Sequence, residues 1–270
     1  MLSLGVVTDV HLGPSASFGG KLRKLSHRAE PLLTEFARCM RDDVKPDLVV
    51  NLGDLIEDQS PEQDDAHYCR GVELLGASGA PVVHVAGNHD RANLSSERLR
   101  SVWGLDAAGP LYRSFDEKGV HVVVLATQET KDVEVAIDDE QLVWLEADLS
   151  MAKAPTVVLM HHSAADQDLK GNRWFEKAAH LCLVKQRKRL RRLLHDSGHV
   201  RLVLNGHLHW NHLEVIDGIP YLTLQSLIEN IEEDAPGEPA AAYAVVRVAP
   251  KRVDVTVGGV QPARYQFSRA

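Results

Sequence analysis

Five short polar blocks, each closing an apolar run rich in β-branched residues, constrain this chain more than any other feature. They are Asp9-Val10-His11, Gly53-Asp54, Gly87-Asn88-His89-Asp90, His161-His162 and Gly206-His207-Leu208-His209. The runs that precede them, residues 4–10, 47–52, 81–86, 156–160 and 200–204, have the near-continuous hydrophobicity of buried parallel strands. Open α/β sheets build their ligand sites at the carboxyl ends of such strands. Five blocks of carboxylate, imidazole and amide in series therefore place one divided polar site along one edge of a folded sheet.

Helix-like stretches separate the early strands, and two of them have marked starts. Ser60-Pro61-Glu62-Gln63 offers an N-cap serine, a proline at the first helical position and a glutamine at the third. Asp138-Asp139-Glu140-Gln141 repeats the pattern ahead of Leu142, Leu145 and Leu149. Residues 111–115 and 119–126 read as a hairpin. Residues 212–216, 220–224, 241–248 and 252–257 read as consecutive strands, with Asp217-Gly218 as a tight turn. Strand–helix alternation followed by a strand-rich end predicts an α/β chain with two packed sheets flanked by helices. There is no internal repeat, residues 232–239 read as a surface loop, and one domain over residues 1–270 is expected.

With 38 acidic against 30 basic side chains the net charge is −8. That balance argues against a nucleic-acid or anionic-membrane binder, which gains affinity by neutralising phosphates. No apolar run approaches the roughly 18–20 residues that span a bilayer, and residues 1–7 enter a strand pattern without the layout of a signal peptide. Cys39, Cys69 and Cys182 are scattered through helix-like segments, which suits reduced thiols and a cytoplasmic protein. The basic run at 185–192 carries leucines at helical spacing, so it reads as a helix with a solvated basic face.

Taken singly, the blocks have plain readings: Gly-Asp and Gly-Asn-His-Asp are turn sequences. Taken together and in order they form a metal-binding set. Asp9 and His11, two apart at a strand end, can reach one ion. Asp54 is a lone acid between two groups of ligands and is the natural bridge, with Gly53 beside it for a tight turn. Carboxylate, imidazole and amide without thiolate suit Mn, Fe, Zn or Co. Two divalent ions about 3.5–4 Å apart would polarise a phosphoryl group between them.

The order Asp-x-His, Gly-Asp, Gly-Asn-His-Asp, His and Gly-His-x-His resembles the calcineurin-like metallophosphoesterase superfamily, over residues 9–209. The resemblance implies a four-layer αββα sandwich and two divalent metal ions per chain. Asp9, His11, Asp54 and His209 would hold one ion; Asp54, Asn88, His161 and His207 would hold the other. It also implies that His89 assists the leaving oxygen as a proton donor or stabiliser and that Asp90 orients its ring. The expected reaction is in-line attack on a small phosphodiester or pyrophosphate by a hydroxide that bridges the metals.

Residues 137–149 and 222–229 resemble stretches of the manganese-dependent ADP-ribose/CDP-alcohol diphosphatases, which implies a nucleotide-like substrate. Familiar eukaryotic members of that group have glutamine where this chain has His11. The class III cyclic-nucleotide phosphodiesterases share the Asp-x-His form and are the alternative, as is a phosphomonoesterase. A non-catalytic scaffold is disfavoured by the complete ligand set, and a nuclease by the acidic balance. Arg91, beside the third block, and Arg173 and Trp174, in the segment after the fourth, are candidate substrate contacts. A structural anchor reads equally well for the last two. His162 and His212 border the blocks, whereas His84 lies inside a strand run and reads as a core residue. The partner expected is a small-molecule phosphoester, with no nucleic acid or membrane; nothing sets an oligomeric state.

Overall fold

The computed structural model describes residues 1–232 and 235–268. The chain runs β1 (Leu2–Val7), a hairpin of β2 (Ala16–Phe18) and β3 (Lys21–Lys24), α1 (Ala29–Cys39), β4 (Leu48–Asn51), α2 (Pro61–Gly76) and β5 (Val82–His84). It continues through α3 (Asp90–Asn93), α4 (Ser96–Val102), β6 (Arg113–Glu117), β7 (Val120–Val124), a hairpin of β8 (Gln128–Thr130) and β9 (Glu134–Ala136), α5 (Asp139–Met151) and β10 (Thr156–Leu159). Then follow α6 (Arg187–Asp196), β11 (Val200–Asn205), β12 (His212–Ile216), β13 (Ile219–Thr223), β14 (Tyr243–Ala249), β15 (Arg252–Gly258) and β16 (Ala263–Ser268).

Two six-stranded mixed sheets form, in the orders β16-β15-β14-β1-β4-β5 and β12-β13-β11-β10-β7-β6. Strand alternation decides the layers. Leu4, Val6, Leu48 and Val50 face Val122, Val124, Val157, Leu159, Leu202 and Leu204 in the core between the sheets. Val7 and Val49, on the other face of the first sheet, pack against Leu33, Phe36, Tyr68 and Leu75 of α1 and α2. Val123, Val158 and Val203 do the same against Leu142, Leu145, Leu190 and Leu194 of α5 and α6. The result is the four-layer αββα sandwich that the resemblance implied.

Strands β1, β4 and β5 are mutually parallel, as are β7, β10 and β11. Their carboxyl ends thus gather at one edge of the sandwich, and all five polar blocks lie there.

Local expectations hold in most places. Ser60 is the N-cap of α2, its Oγ accepting from the Gln63 N–H, with Pro61 at the first position. Asp138 occupies the N-cap of α5 but makes no capping bond; its Oδ2 instead accepts from Gln128 Nε2 at 2.5 Å. Cys182 is not helical; it follows a single 3-10 turn, while Cys39 and Cys69 lie in helices and all three thiols are free. The basic helix turns Leu190 and Leu194 inward and pairs Arg187 and Arg191 with Asp166. In the expected loop at 232–239, Pro239 bridges to Asn230, while Glu233 and Asp234 lie outside the described residues. Among the described residues no helix is long and apolar enough to cross a membrane.

Candidate metal centre

The loops that leave β1 and β4 run side by side and prolong the sheet ladder, with Asp9 N–H donating to Gly53 O and His11 N–H to Asp54 O, both at 3.0 Å. The side chains are presented by an unusual backbone. Asp9, His11, Asp54, His207 and His209 all adopt positive φ, between 49° and 69°. Left-handed conformations in non-glycine residues cost on the order of 1 kcal/mol or more each and persist where the surroundings over-determine them. Five at one place indicate a site shaped for something other than stability.

The neighbouring glycines are required by crowding. A Cβ on Gly87 would lie 2.1 Å from Asp54 Oδ1, and one on Gly206 would lie 2.4 Å from Asp9 Oδ2. Gly53 combines φ +104° with a Cβ position 2.6 Å from His161 Nδ1. The Asp9 carboxylate accepts from Thr8 Oγ1 at 2.6 Å and from the His207 N–H at 2.9 Å. It thereby joins the end of one sheet to the end of the other.

Two groups of ligand atoms converge. In the first, His11 Nε2 lies 3.1 Å from His209 Nε2 and 4.0 Å from Asp9 Oδ1. In the second, His161 Nε2 lies 3.2 Å from Asp54 Oδ2, from Asn88 Oδ1 and from His207 Nδ1. Asp54 Oδ2 is also 3.8 Å from His11 Nε2, so its carboxylate stands between the groups. Neighbouring ligand atoms on one ion with ~2.1 Å bonds are separated by roughly 3 Å.

The outer ring nitrogens fix the tautomers. His11 Nδ1 meets Glu57 Oε2 at 2.9 Å and His209 Nδ1 meets Glu229 Oε2 at 2.8 Å. His161 Nδ1 meets Leu52 O at 2.9 Å and His207 Nε2 meets Leu181 O at 3.0 Å. Carbonyl and carboxylate oxygens only accept, so these nitrogens carry the proton in the neutral rings and the inward nitrogens present lone pairs. An imidazole pair 3.1 Å apart with two bare nitrogens is repulsive without a cation, and the residues present fit one at each group. Glu229→Ala is expected to weaken Mn²⁺ or Zn²⁺ affinity about 10–100-fold. Titration calorimetry showing wild-type affinity would remove Glu229 from this role.

Charge balance points the same way. Burial pushes the Asp9 and Asp54 carboxyls up, but the surrounding imidazoles outweigh it and hold both well below the usual range. Burial acts against protonated His161 and His209, yet the facing carboxylates raise both to about 9. Burial, helped by nearby cations, lowers His11 to about 4 and His207 to about 3. The carboxylates thus attract positive charge into a buried place, in a form that divalent ions would supply by displacing protons.

One expectation needs correction. Asp90 does not reach the His89 ring; its carboxylate accepts from the N–H groups of Asp54, Leu55 and Gly87 at 2.8–2.9 Å and so ties two ligand loops together. Burial and the Asp54 charge push that carboxyl up to about 7, against N–H donors that favour the ionised form. The ring partner is Asp58, whose Oδ1 meets His89 Nδ1. Arg173 donates to the carbonyls of Asn230 and Ile231, its Nη1 lies 3.9 Å from Glu229 Oε1, and with Trp174 and His209 it lines a second cavity of about 270 Å³. Trp174 donates to Glu229 Oε2 and stacks on Phe18, so it braces the ligand shell. Both side chains are thus anchored on an irregular segment, not a helix start, while they face that cavity.

Arg91 does line a cavity of about 730 Å³ with Asn88, His89 and Asp58, while its Nη1 donates to Thr127 O. His162 is buried under His207 with Nδ1 on Thr127 Oγ1. His212 stacks on Trp210, and His84, buried in β5, stacks on Trp103.

Two converging His/Asp clusters able to hold cations, at the sheet edges of an αββα sandwich, fit one class of protein, and sequence comparison agrees. The calcineurin-like phosphoesterase profile matches residues 2–211, and the chain belongs to that family of hydrolytic, dinuclear-metal phosphoesterases. A probable cyclic nucleotide phosphodiesterase of Synechococcus is 28% identical over 77% of this chain and 73% of its own length. The 3',5'-cyclic adenosine monophosphate phosphodiesterase CpdA of Escherichia coli is 28% identical over 60% of this chain; the match spans little more than half, 54%, of that protein. Among solved structures, a dimetal phosphatase from Danio rerio superposes with a TM-score of 0.77 at 17% identity, covering 100% of this chain and 99% of that one. The Plasmodium protein GAP50, described as an anchor in the inner membrane complex, has a TM-score of 0.60 at 13% identity over 99% of this chain and 89% of its own. Fold alone therefore leaves the role to the site.

Proposed function

We propose that this chain hydrolyses a small phosphodiester. Asp9, His11, Asp54 and His209 would hold one divalent ion, and Asp54, Asn88, His161 and His207 the other. The observation that carries this reading is the set of four buried imidazoles, each anchored by an acceptor on its outer nitrogen and aimed inward with the other. When bound, the ion pair supplies polarisation of the phosphoryl oxygens and an activated water.

The chain's own groups do the rest. Asp58 fixes the His89 ring, which stands partly exposed at the wall of the 730 Å³ cavity, where its proton can reach a leaving oxygen. Asp90 sets the spacing between Asp54 and the Asn88-His89 loop, and Arg91 offers the cavity a cation. Cyclic nucleotides are the first substrate class, because two of the relatives named above are described as a probable cyclic nucleotide phosphodiesterase and a 3',5'-cyclic adenosine monophosphate phosphodiesterase, and the class III enzymes that the sequence resembles share the Asp-x-His form. Nucleotide-linked pyrophosphates of the ADP-ribose and CDP-alcohol kind are the second; residues 222–229, which resemble that group, include the Glu229 that holds His209. A cytoplasmic location and a single domain over residues 1–270 complete the proposal; nucleic acid and membrane are not expected partners.

The test is a substrate panel run with Mn²⁺, Fe²⁺, Zn²⁺ and Co²⁺. It spans bis-p-nitrophenyl phosphate, 2',3'- and 3',5'-cyclic nucleotides, ADP-ribose, CDP-alcohols and phosphomonoesters. Turnover of diesters is expected to exceed that of monoesters. Protein that binds two ions per chain and cleaves nothing would return it to the scaffold class.

A further inference from the structure

The hairpin of β2 and β3 contains none of the five blocks, yet it delivers a lysine into the wall of the centre. Lys24 is only 4% exposed. Its Nζ lies 2.7 Å from Glu57 Oε2, 3.2 Å from His89 Nε2 and 3.4 Å from His11 Nδ1. The main chain holds it firmly. Lys24 bridges to Glu229, Leu25 N–H donates to Ile228 O, and Asn230 N–H donates to Arg23 O. Trp174 covers the ammonium, with Nζ 5.3 Å from the ring centroid.

Burying a lysine is costly unless its charge is paired. Glu57 pairs it, but that carboxylate also orients His11, so one acid serves two cationic or donor groups. A structural role for Lys24 would be complete with Glu57 alone. The approach to His89 Nε2 is additional. Asp58 occupies the other nitrogen of that ring, so Nε2, with the Lys24 ammonium 3.2 Å away, is the atom His89 would turn to a substrate. Of the three ammonium hydrogens one goes to Glu57, and His11 Nδ1 is no acceptor because its own proton is committed to Glu57. The remaining donors point charge at the place where His89 would meet an ester oxygen.

We propose that Lys24 is a further catalytic residue, whose ammonium contacts the leaving oxygen of the ester beside His89. It keeps its three protons throughout. As the P–O bond breaks, its electron pair moves onto the leaving oxygen, and the fixed cation stabilises the charge developing there. The shielding by Trp174 removes water from one side of the ammonium and strengthens the effect. This inference rests on the phosphodiesterase reading and adds a residue to it.

The experiment uses the metal-loaded protein and a series of methyl aryl phosphates with leaving groups from p-nitrophenol to phenol. Lys24→Met is expected to lose about tenfold on the p-nitrophenyl ester and about 100–1000-fold on the phenyl ester, the scale of a removed charge-stabilising donor. Bound Mn²⁺ should stay at two per chain, and Lys24→Arg should recover part of the phenyl ester rate. Equal losses across the series, or loss of bound metal in both variants, would make Lys24 a structural partner of Glu57 and overturn the proposal. A wild-type protein inactive on every ester would overturn the hydrolase reading itself, and this inference with it.

Discussion

Asp54→Asn is expected to lower turnover of bis-p-nitrophenyl phosphate by about 10³-fold or more, the upper scale for one lost electrostatic anchor at a reacting centre. Bound metal should fall from two ions per chain to one or none. The reason is positional. Asp54 Oδ2 is 3.2 Å from His161 Nε2 and 3.8 Å from His11 Nε2, so a single carboxylate oxygen faces both groups. An amide keeps the shape but offers one neutral oxygen where two cations need a shared anion. Gly87→Ala should reproduce the loss without replacing a candidate ligand, because its methyl group would fall 2.1 Å from Asp54 Oδ1 and displace that carboxylate. Elemental analysis and initial rates check both variants. Two bound ions and wild-type rates in Asp54→Asn would sink the bridging assignment, and a fully active Gly87→Ala would show that this loop relaxes freely.

The candidate ligand positions were legible in the sequence because each is spelled at the end of an apolar run, and strand ends of parallel sheets converge. The partners that make the ligands work were not. Leu52 O and Leu181 O are main-chain atoms and have no residue signature, and Leu181 arrives only because the segment after His161 folds back on itself. Glu57 and Asp58 lie three and four residues beyond Asp54. Acids in a loop read as solvated until the fold shows which ring they face. The family resemblance implied Asp90 as the orienter of His89. The backbone instead turns into a short helix at Asp90 and carries its carboxylate to the other loop. Lys24 was missed with its hairpin, whose strands have three and four residues and little apolar alternation. The one available signal was Gly19-Gly20, both at positive φ, a pair suited to a two-residue turn. The edge strand β16 was missed although Ala263, Tyr265 and Phe267 alternate inward.

His89 carries the case for catalysis as opposed to binding, and its pH behaviour is the sharper test. Burial works against its protonated form, but the charge of Asp54 and the hydrogen bond to Asp58 outweigh that and raise its pKa above the ordinary imidazole value. Metal ions would take up the Asp54 charge, which leaves Asp58, with Glu57 behind it, to keep the proton on against burial and the Lys24 cation. If the protonated ring serves the leaving oxygen, the rate falls as pH rises through this raised value. Removing the Asp58 carboxylate lowers the pKa, so in Asp58→Asn the alkaline limb of the kcat profile should move toward lower pH. His89→Asn should lose about 10²–10⁴-fold on a diester with a poor leaving group, as expected for a missing general acid. It should also lose the alkaline limb while retaining both ions. An alkaline limb that stays in place in Asp58→Asn would assign that ionisation elsewhere, and His89→Asn with undiminished rates would leave the ring only a place in the wall of the cavity.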